Sequence, residues 1–160
     1  MNFTIPNLIM KLSIVQIKNI TIYIMSLLYI LVGIKHFSDP NFFLKIMPEY
    51  LNYHLELVYL SGFFEILFGV LLIFKKTRFY GAWGIFILLI CVFPANIYLY
   101  NSEAAQTALN ISKSQALIRL PFQIPLLILA YWHSHEKISR NFSVLCLIIF
   151  IPTIIYFSTL

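Results

Sequence analysis

The sequence predicts an all-α polytopic membrane protein, a helical bundle of one domain with five transmembrane helices, and three observations carry that prediction. Charged residues number 17 of 160, or 11%, where a soluble domain carries about 25%. Hydrophobic residues make up 61%, enough for roughly five spans of about 20 residues each. The apolar residues also gather in five runs, 19–37, 55–74, 79–100, 115–132 and 142–159, each long enough to cross a bilayer. A soluble single domain is excluded. The net charge of +5 does not point to nucleic acid, because the 11 positive residues are scattered and cluster only at span ends, where membrane topology accounts for them. Cys91 and Cys146 lie 55 positions apart inside apolar runs, which excludes a disulfide framework and a dithiol redox motif.

Residues 1–18 mix Phe3, Ile5, Leu8, Ile9, Leu12 and Ile17 with Asn7, Lys11, Ser13 and Gln16. This pattern predicts an N-terminal interfacial segment, with a poorly ordered or extended start to the first span as the alternative. One early lysine, interrupted apolar stretches and no small-x-small cleavage site predict that the first long apolar segment stays in the mature protein. The first span carries Ser26, Tyr29, Gly33 and His36 at steps of three and four, a polar stripe on one helical face. Between spans one and two, Pro40 and Pro48 bracket Phe42, Phe43, Leu44 and Ile46, predicting a short surface helix started by the first proline and stopped before the second.

The second span places Glu65 at mid-membrane, with Gly62 three residues before it and Gly69 four after, so all three share a face. Lys75-Lys76-Thr77-Arg78 reads as the tightest turn, and the third span ends with Pro94-Ala95-Asn96. Residues 101–114 read as the one properly polar loop. The fourth span sets Arg119 and Gln123 four apart, with Pro121 between them. Residues 142–160 carry no charge and no small-residue packing motif, and so read as an additional helix dispensable for the core. No internal repeat or low-complexity segment is present.

Positive residues set the expected orientation. Lys11, Lys18, Lys75, Lys76, Arg78, Lys137 and Arg140 fall on one side, and Lys35, Lys45, Lys113 and Arg119 on the other. The positive-inside rule then predicts a cytoplasmic N-terminus and, with five spans, a C-terminus outside. Tyr50, Tyr53, Tyr80, Trp83, Tyr98, Tyr100, Tyr131 and Trp132 lie near span ends, as interfacial aromatics do.

A charged side chain in hydrocarbon costs about 2.5–3.5 kcal/mol on insertion scales, so each needs a partner or a purpose. Glu65, His36, Asn96, Arg119 and Gln123 are therefore the candidate intramembrane polar site. Each also has a plainer reading: a hydrogen-bonding post for Glu65, a helix end for His36, a packing donor to a proline-freed carbonyl for Asn96, and outward snorkelling for Arg119. Under the expected orientation His36, Asn96 and Arg119 fall toward the outer leaflet, with Glu65 about 15 Å below that surface at 1.5 Å per residue. They are expected to line one outward-opening pocket, with Arg119 as charge partner of Glu65, directly or through Gln123. His133 and His135 beside Glu136, and His54 beside Glu56, lack the clustered ligands of a zinc or iron site, and no metal is expected. No phosphate-binding glycine loop and no serine or cysteine nucleophile in a recognisable setting is present.

These residues as a set resemble the DoxX-like family of small bacterial membrane proteins. The resemblance runs from about Tyr23 to Trp132. It rests on Gly33-Ile34-Lys35-His36-Phe37, Asp39-Pro40, Phe43, Ile46-Met47-Pro48, Tyr59 to Glu65 with Gly69, Thr77-Arg78, Ala82-Trp83-Gly84, Val92 to Tyr98, and Arg119-Leu120-Pro121-Phe122-Gln123. It implies a four-helix DoxX-like membrane domain over residues 19–133, with the helix at 142–160 as a departure from that core. Some relatives are named as membrane subunits of thiosulfate:quinone oxidoreductase or as partners of thiol-redox enzymes, and similar folds in animals are associated with membrane-protein assembly. The expected function is an accessory or partner-binding subunit of the cell (inner) membrane with a small polar site. Its expected partners are the lipid bilayer and another membrane or redox protein, with no cofactor of its own. The rivals are a quinone-linked oxidoreductase, with quinone as cofactor and His36 or Glu65 relaying its proton, and a small-solute transporter or assembly factor. Transport is weakened by the absence of paired broken helices or a repeat.

Overall fold

The computed structural model describes the backbone of residues 5–158 and the side chains of residues 14–157. It consists of helices α1 (Ile5–Ser38), α2 (Pro40–Leu44), α3 (His54–Ile73), α4 (Arg78–Asn101), α5 (Glu103–Leu109), α6 (Lys113–Ser134) and α7 (Arg140–Ser158), with no strand among the described residues. Five of them, α1, α3, α4, α6 and α7, are long and apolar enough to cross a membrane. The protein is an all-α polytopic membrane bundle.

Around the bundle α1 packs on α3, α3 on α4, α4 on α6, α6 on α7, and α7 back on α1. Neighbours successive in the chain run antiparallel, which leaves α7 parallel to α1 where the ring closes. Ser26 of α1 meets Gly69 of α3, whereas His36 near the end of α1 meets Val58 near the start of α3. The same reversal holds between α4 and α6, where Asn96 meets Gln123 and Trp83 meets Tyr131.

The α1–α3 seam is close because glycine stands on both sides of it. A methyl group at Gly33 would lie 2.7 Å from the Gly62 carbonyl oxygen, and one at Gly69 would lie 3.1 Å from the Ser26 carbonyl oxygen. The Ser26 hydroxyl uses this proximity to donate to the Gly69 carbonyl at 2.7 Å. At the α3–α4 turn Thr77 and Arg78 finish α3: the Thr77 hydroxyl donates to the Leu71 carbonyl at 2.8 Å, and Arg78 Nε to that of Leu72 at 3.2 Å. These bonds satisfy carbonyls that the end of a helix leaves without a partner.

Three expectations change. The N-terminal stretch is continuous helix from Ile5 into the first span rather than a separate helix. Residues 1–4 and the side chains of residues 1–13 lie outside the described residues. The polar loop at 101–114 contains α5, whose N-cap Ser102 accepts from the Ala105 amide at 3.2 Å, while Gln106 donates to the carbonyls of Leu99 and Tyr100 that end α4. Short polar helices of this kind are held by caps and carry no apolar run. Finally, α7 is part of the core: its Cys146 and Phe150 are buried in one apolar cluster with Ile22, Met25, Leu129 and Trp132. The Trp132 indole nitrogen donates to Ser143 of α7 at 3.2 Å. A glycine motif is one route to helix contact, and α7 takes another, interlocking aromatic and aliphatic side chains.

The short helix between Pro40 and Pro48 forms as expected, α2 followed by turns through Met47. Pro48 is fully buried, and His54 Nε2 donates to its carbonyl at 3.1 Å, which ties the return of the chain into α3.

Candidate functional site

At the α1–α3 seam the polar stripe of α1 and the Glu65 face of α3 meet. Gly62 lies against the His36 side chain, and His36 Nε2 stands 3.3 Å from Glu65 Oε2. Both residues are buried, His36 to 6% and Glu65 to 9% exposure. The other ring nitrogen, Nδ1, lies 2.9 Å from the Val58 carbonyl oxygen and 3.1 Å from the Ser61 hydroxyl, which itself donates to that carbonyl at 2.9 Å. A carbonyl can only accept, so Nδ1 carries a hydrogen. In neutral His36 the lone pair of Nε2 then points to the Glu65 oxygen, and the contact is attractive only when a proton sits between the two atoms. The pair therefore holds one proton as a unit, either on the imidazole opposite a carboxylate or on the carboxyl group opposite a neutral ring.

Two further features define this place. The Phe43 ring of α2 stacks on the imidazole, with centroids 3.5 Å apart and planes at 24°, so the surface helix forms a lid over His36. Below it, the Tyr29 hydroxyl is buried without a hydrogen-bond partner. An unsatisfied polar atom of this kind in a buried site is an open valence for an incoming polar group.

The other candidates divide between two seams. Between α4 and α6, Asn96 Nδ2 donates to Gln123 Oε1 at 2.8 Å, and Gln123 Nε2 donates to the Leu89 carbonyl oxygen. Asn96 is expected to donate to the backbone carbonyl that Pro94 frees; its amide instead donates to Gln123, which from the facing helix donates to the neighbouring Leu89 carbonyl. An apolar groove of about 410 Å³ lies alongside, lined by Leu89, Phe93, Pro121, Gln123, Ile124 and Leu127 among others. Between α6 and α7, Arg119 is buried to 9% exposure and faces the Tyr156 hydroxyl.

The expected Glu65–Arg119 pairing is replaced by Glu65–His36. Among the described residues the ion pairs are His36–Glu65 and Lys75–Glu136, and none joins Glu65 to Arg119 within 4.0 Å. The two helices that carry them are not neighbours in the ring, since α3 contacts α1 and α4 while Arg119 belongs to α6. The single expected pocket is three separate interhelical contacts. Among the described residues no three His, Cys, Asp or Glu side chains converge on a point.

A second polar cluster at the opposite end was not read from the sequence as a unit. Thr21 of α1 donates its hydroxyl hydrogen to the Lys18 carbonyl at 2.8 Å, so His133 Nε2, 3.1 Å away, must be the donor in their contact. Lys18 Nζ donates to the His135 carbonyl at 2.6 Å, and Arg78 reaches Asn19 at 3.3 Å. The available signal was the alignment of Lys18, Arg78 and His133 at the same predicted level of three different spans.

Five apolar crossing helices enclosing an acid–imidazole pair place the chain among the polytopic helical membrane proteins. It belongs to the family described as Domain of unknown function (DUF8561), which matches residues 25–134. That stretch holds every candidate site residue and stops at the end of α6, leaving α7 outside. None of the curated proteins and none of the solved structures matches the chain.

Proposed function

We propose that the protein is an accessory subunit of the cell membrane, of the DoxX-like type, whose His36–Glu65 pair is a polar site presented to a partner membrane or redox protein. The observation that carries this reading is the pair itself: a one-proton unit beside the unpartnered Tyr29 hydroxyl, with the Phe43 ring of a five-residue surface helix stacked on its imidazole. Displacing α2 uncovers the imidazole without disturbing a transmembrane helix, which suits a site engaged by docking. The concentration of Lys18, Lys75, Lys76, Arg78, Lys137 and Arg140 at the other end of the bundle supports a cytoplasmic N-terminus and a site facing outside.

A second reading, a quinone-linked oxidoreductase subunit, is favoured by the same proton and by the apolar groove between α4 and α6. Quinone reduction consumes protons where water is scarce, and a buried one-proton pair is suited to deliver one to a quinone oxygen while a partner redox protein supplies the electrons. Affinity purification from native membrane, with identification of both protein partners and lipid-soluble molecules, separates the two. A partner recovered in stoichiometric amount by the wild type and lost with His36→Asn supports the accessory reading. Co-purified quinone with a quinone-dependent activity that His36→Asn abolishes supports the enzyme. Identical recovery of partners and lipids by wild type and variant removes the pair from both.

A further inference from the structure

Among the described residues, one charge inside the bundle has no counter-charge. Arg119 is 9% exposed, no carboxylate of the described residues lies within 4.0 Å of its guanidinium, and its Nε is buried without a hydrogen-bond acceptor. Its neighbour across the α6–α7 seam, the Tyr156 hydroxyl, offers a dipole and no charge. Arginine does not relieve burial by giving up its proton, and an uncompensated buried charge is strongly destabilising. The two formal charges nearest the membrane middle do not cancel each other, because Glu65 is engaged by His36.

The surroundings indicate what kind of anion fits. Arg119 lies six residues after the first residue of α6, about 9 Å along the helix at 1.5 Å per residue. That is the depth at which a headgroup layer of roughly 5–8 Å gives way to hydrocarbon. The residues flanking the site on its two helices, Ile118 and Ile155, are exposed apolar side chains, at 45% and 60%. A planar guanidinium with a phenol beside it presents several donors to one oxyanion, the arrangement arginine uses for phosphate.

We propose that Arg119 and Tyr156 form an oxyanion subsite at the α6–α7 seam that takes a phosphate group, carried by an anionic phospholipid whose chains lie along Ile118 and Ile155 or present as the free ion. The subsite is independent of the His36–Glu65 pair and stands whether or not that pair binds a partner.

The test is thermal melting of the full chain, purified in an uncharged detergent and stripped of lipid. Four conditions at fixed ionic strength are compared: no addition, dihexanoyl phosphatidylglycerol, inorganic phosphate, and a phosphate-free monoacylglycerol of similar chain length. Near saturation phosphatidylglycerol is expected to raise the wild-type Tm by about 5 °C or more. Arg119→Gln is expected to melt no lower than wild type in the lipid-free state, since it removes an uncompensated charge, and to show no rise with phosphatidylglycerol. Arg119→Lys keeps a charge without the planar fork and retains part of the rise. A rise with inorganic phosphate as large as with phosphatidylglycerol keeps the subsite and assigns it to a free anion. An equal rise with monoacylglycerol, an equal rise in Arg119→Gln, or no rise at all overturns the proposal. Native mass spectrometry gives a second readout, a retained phospholipid on the wild type that Arg119→Gln lacks.

Discussion

Glu65 shows how a buried acid is tolerated in a bundle: by an imidazole one helix away whose far side is anchored to a backbone carbonyl. Glu65→Gln keeps a hydrogen-bonding group for His36 Nε2, whereas Glu65→Leu leaves that nitrogen buried without a partner, a loss of about 1–3 kcal/mol. The glutamine variant is therefore expected to melt closer to wild type than the leucine variant in detergent. In a double-mutant cycle, Glu65→Gln with His36→Gln should show a coupling of about 0.5–3 kcal/mol. Combined with Arg119→Gln, which shares no partner with it, Glu65→Gln should be additive to within roughly 0.5 kcal/mol. A large coupling to Arg119 together with none to His36 would contradict the pairing described. That Glu65 is buried against a neighbouring helix was legible in the sequence, because a carboxylate at mid-span is costly in lipid and two glycines share its face. Its partner was not, because a partner depends on which helix lies across the seam, and that follows from the order of all five around the bundle.

At the scale of an element, the α1–α3 contact is a fit of backbone against backbone made by Gly33, Gly62 and Gly69. Adding one methyl group at Gly33 puts it against the Gly62 carbonyl and Ile66, atoms with little room to retreat. Overpacking of this kind costs typically about 1–3 kcal/mol. Gly33→Ala is expected to lower the melting temperature and to weaken the His36–Glu65 contact by spreading the seam, so the coupling energy of the pair should fall with it. An unchanged coupling in the Gly33→Ala background would separate the pair from the seam. The spans and the α2 helix were readable because hydropathy and proline punctuation are local, and so was the close approach implied by two glycines flanking Glu65. The helix α5 was not, since a seven-residue amphiphilic turn under a cap leaves no trace in a span-length window. Nor was the relay from Asn96 through Gln123 to the Leu89 carbonyl, which joins two residues 27 positions apart in the chain.

For the whole molecule, the closure of the five helices by α7 decides what happens when it is removed. Truncation after Arg140 strips the cover from Leu129 and Trp132, leaves the Trp132 indole nitrogen without Ser143, and takes Tyr156 from Arg119. Four apolar spans remain, so the shortened chain should still fractionate with membranes. Once solubilised it is expected to elute as a broad, aggregated species with a lower melting temperature. A sharp monomeric peak with wild-type melting would show that α1 to α6 stand alone. The contact of α7 with α1 also has a consequence for biosynthesis. A ribosome delivers α7 only after α1, α3, α4 and α6, so the Thr21–His133 side of the bundle faces the insertion machinery or lipid until that helix arrives. The final shape of these five helices is set by a late lateral docking step, the stage at which an insertase or chaperone has the most to shield.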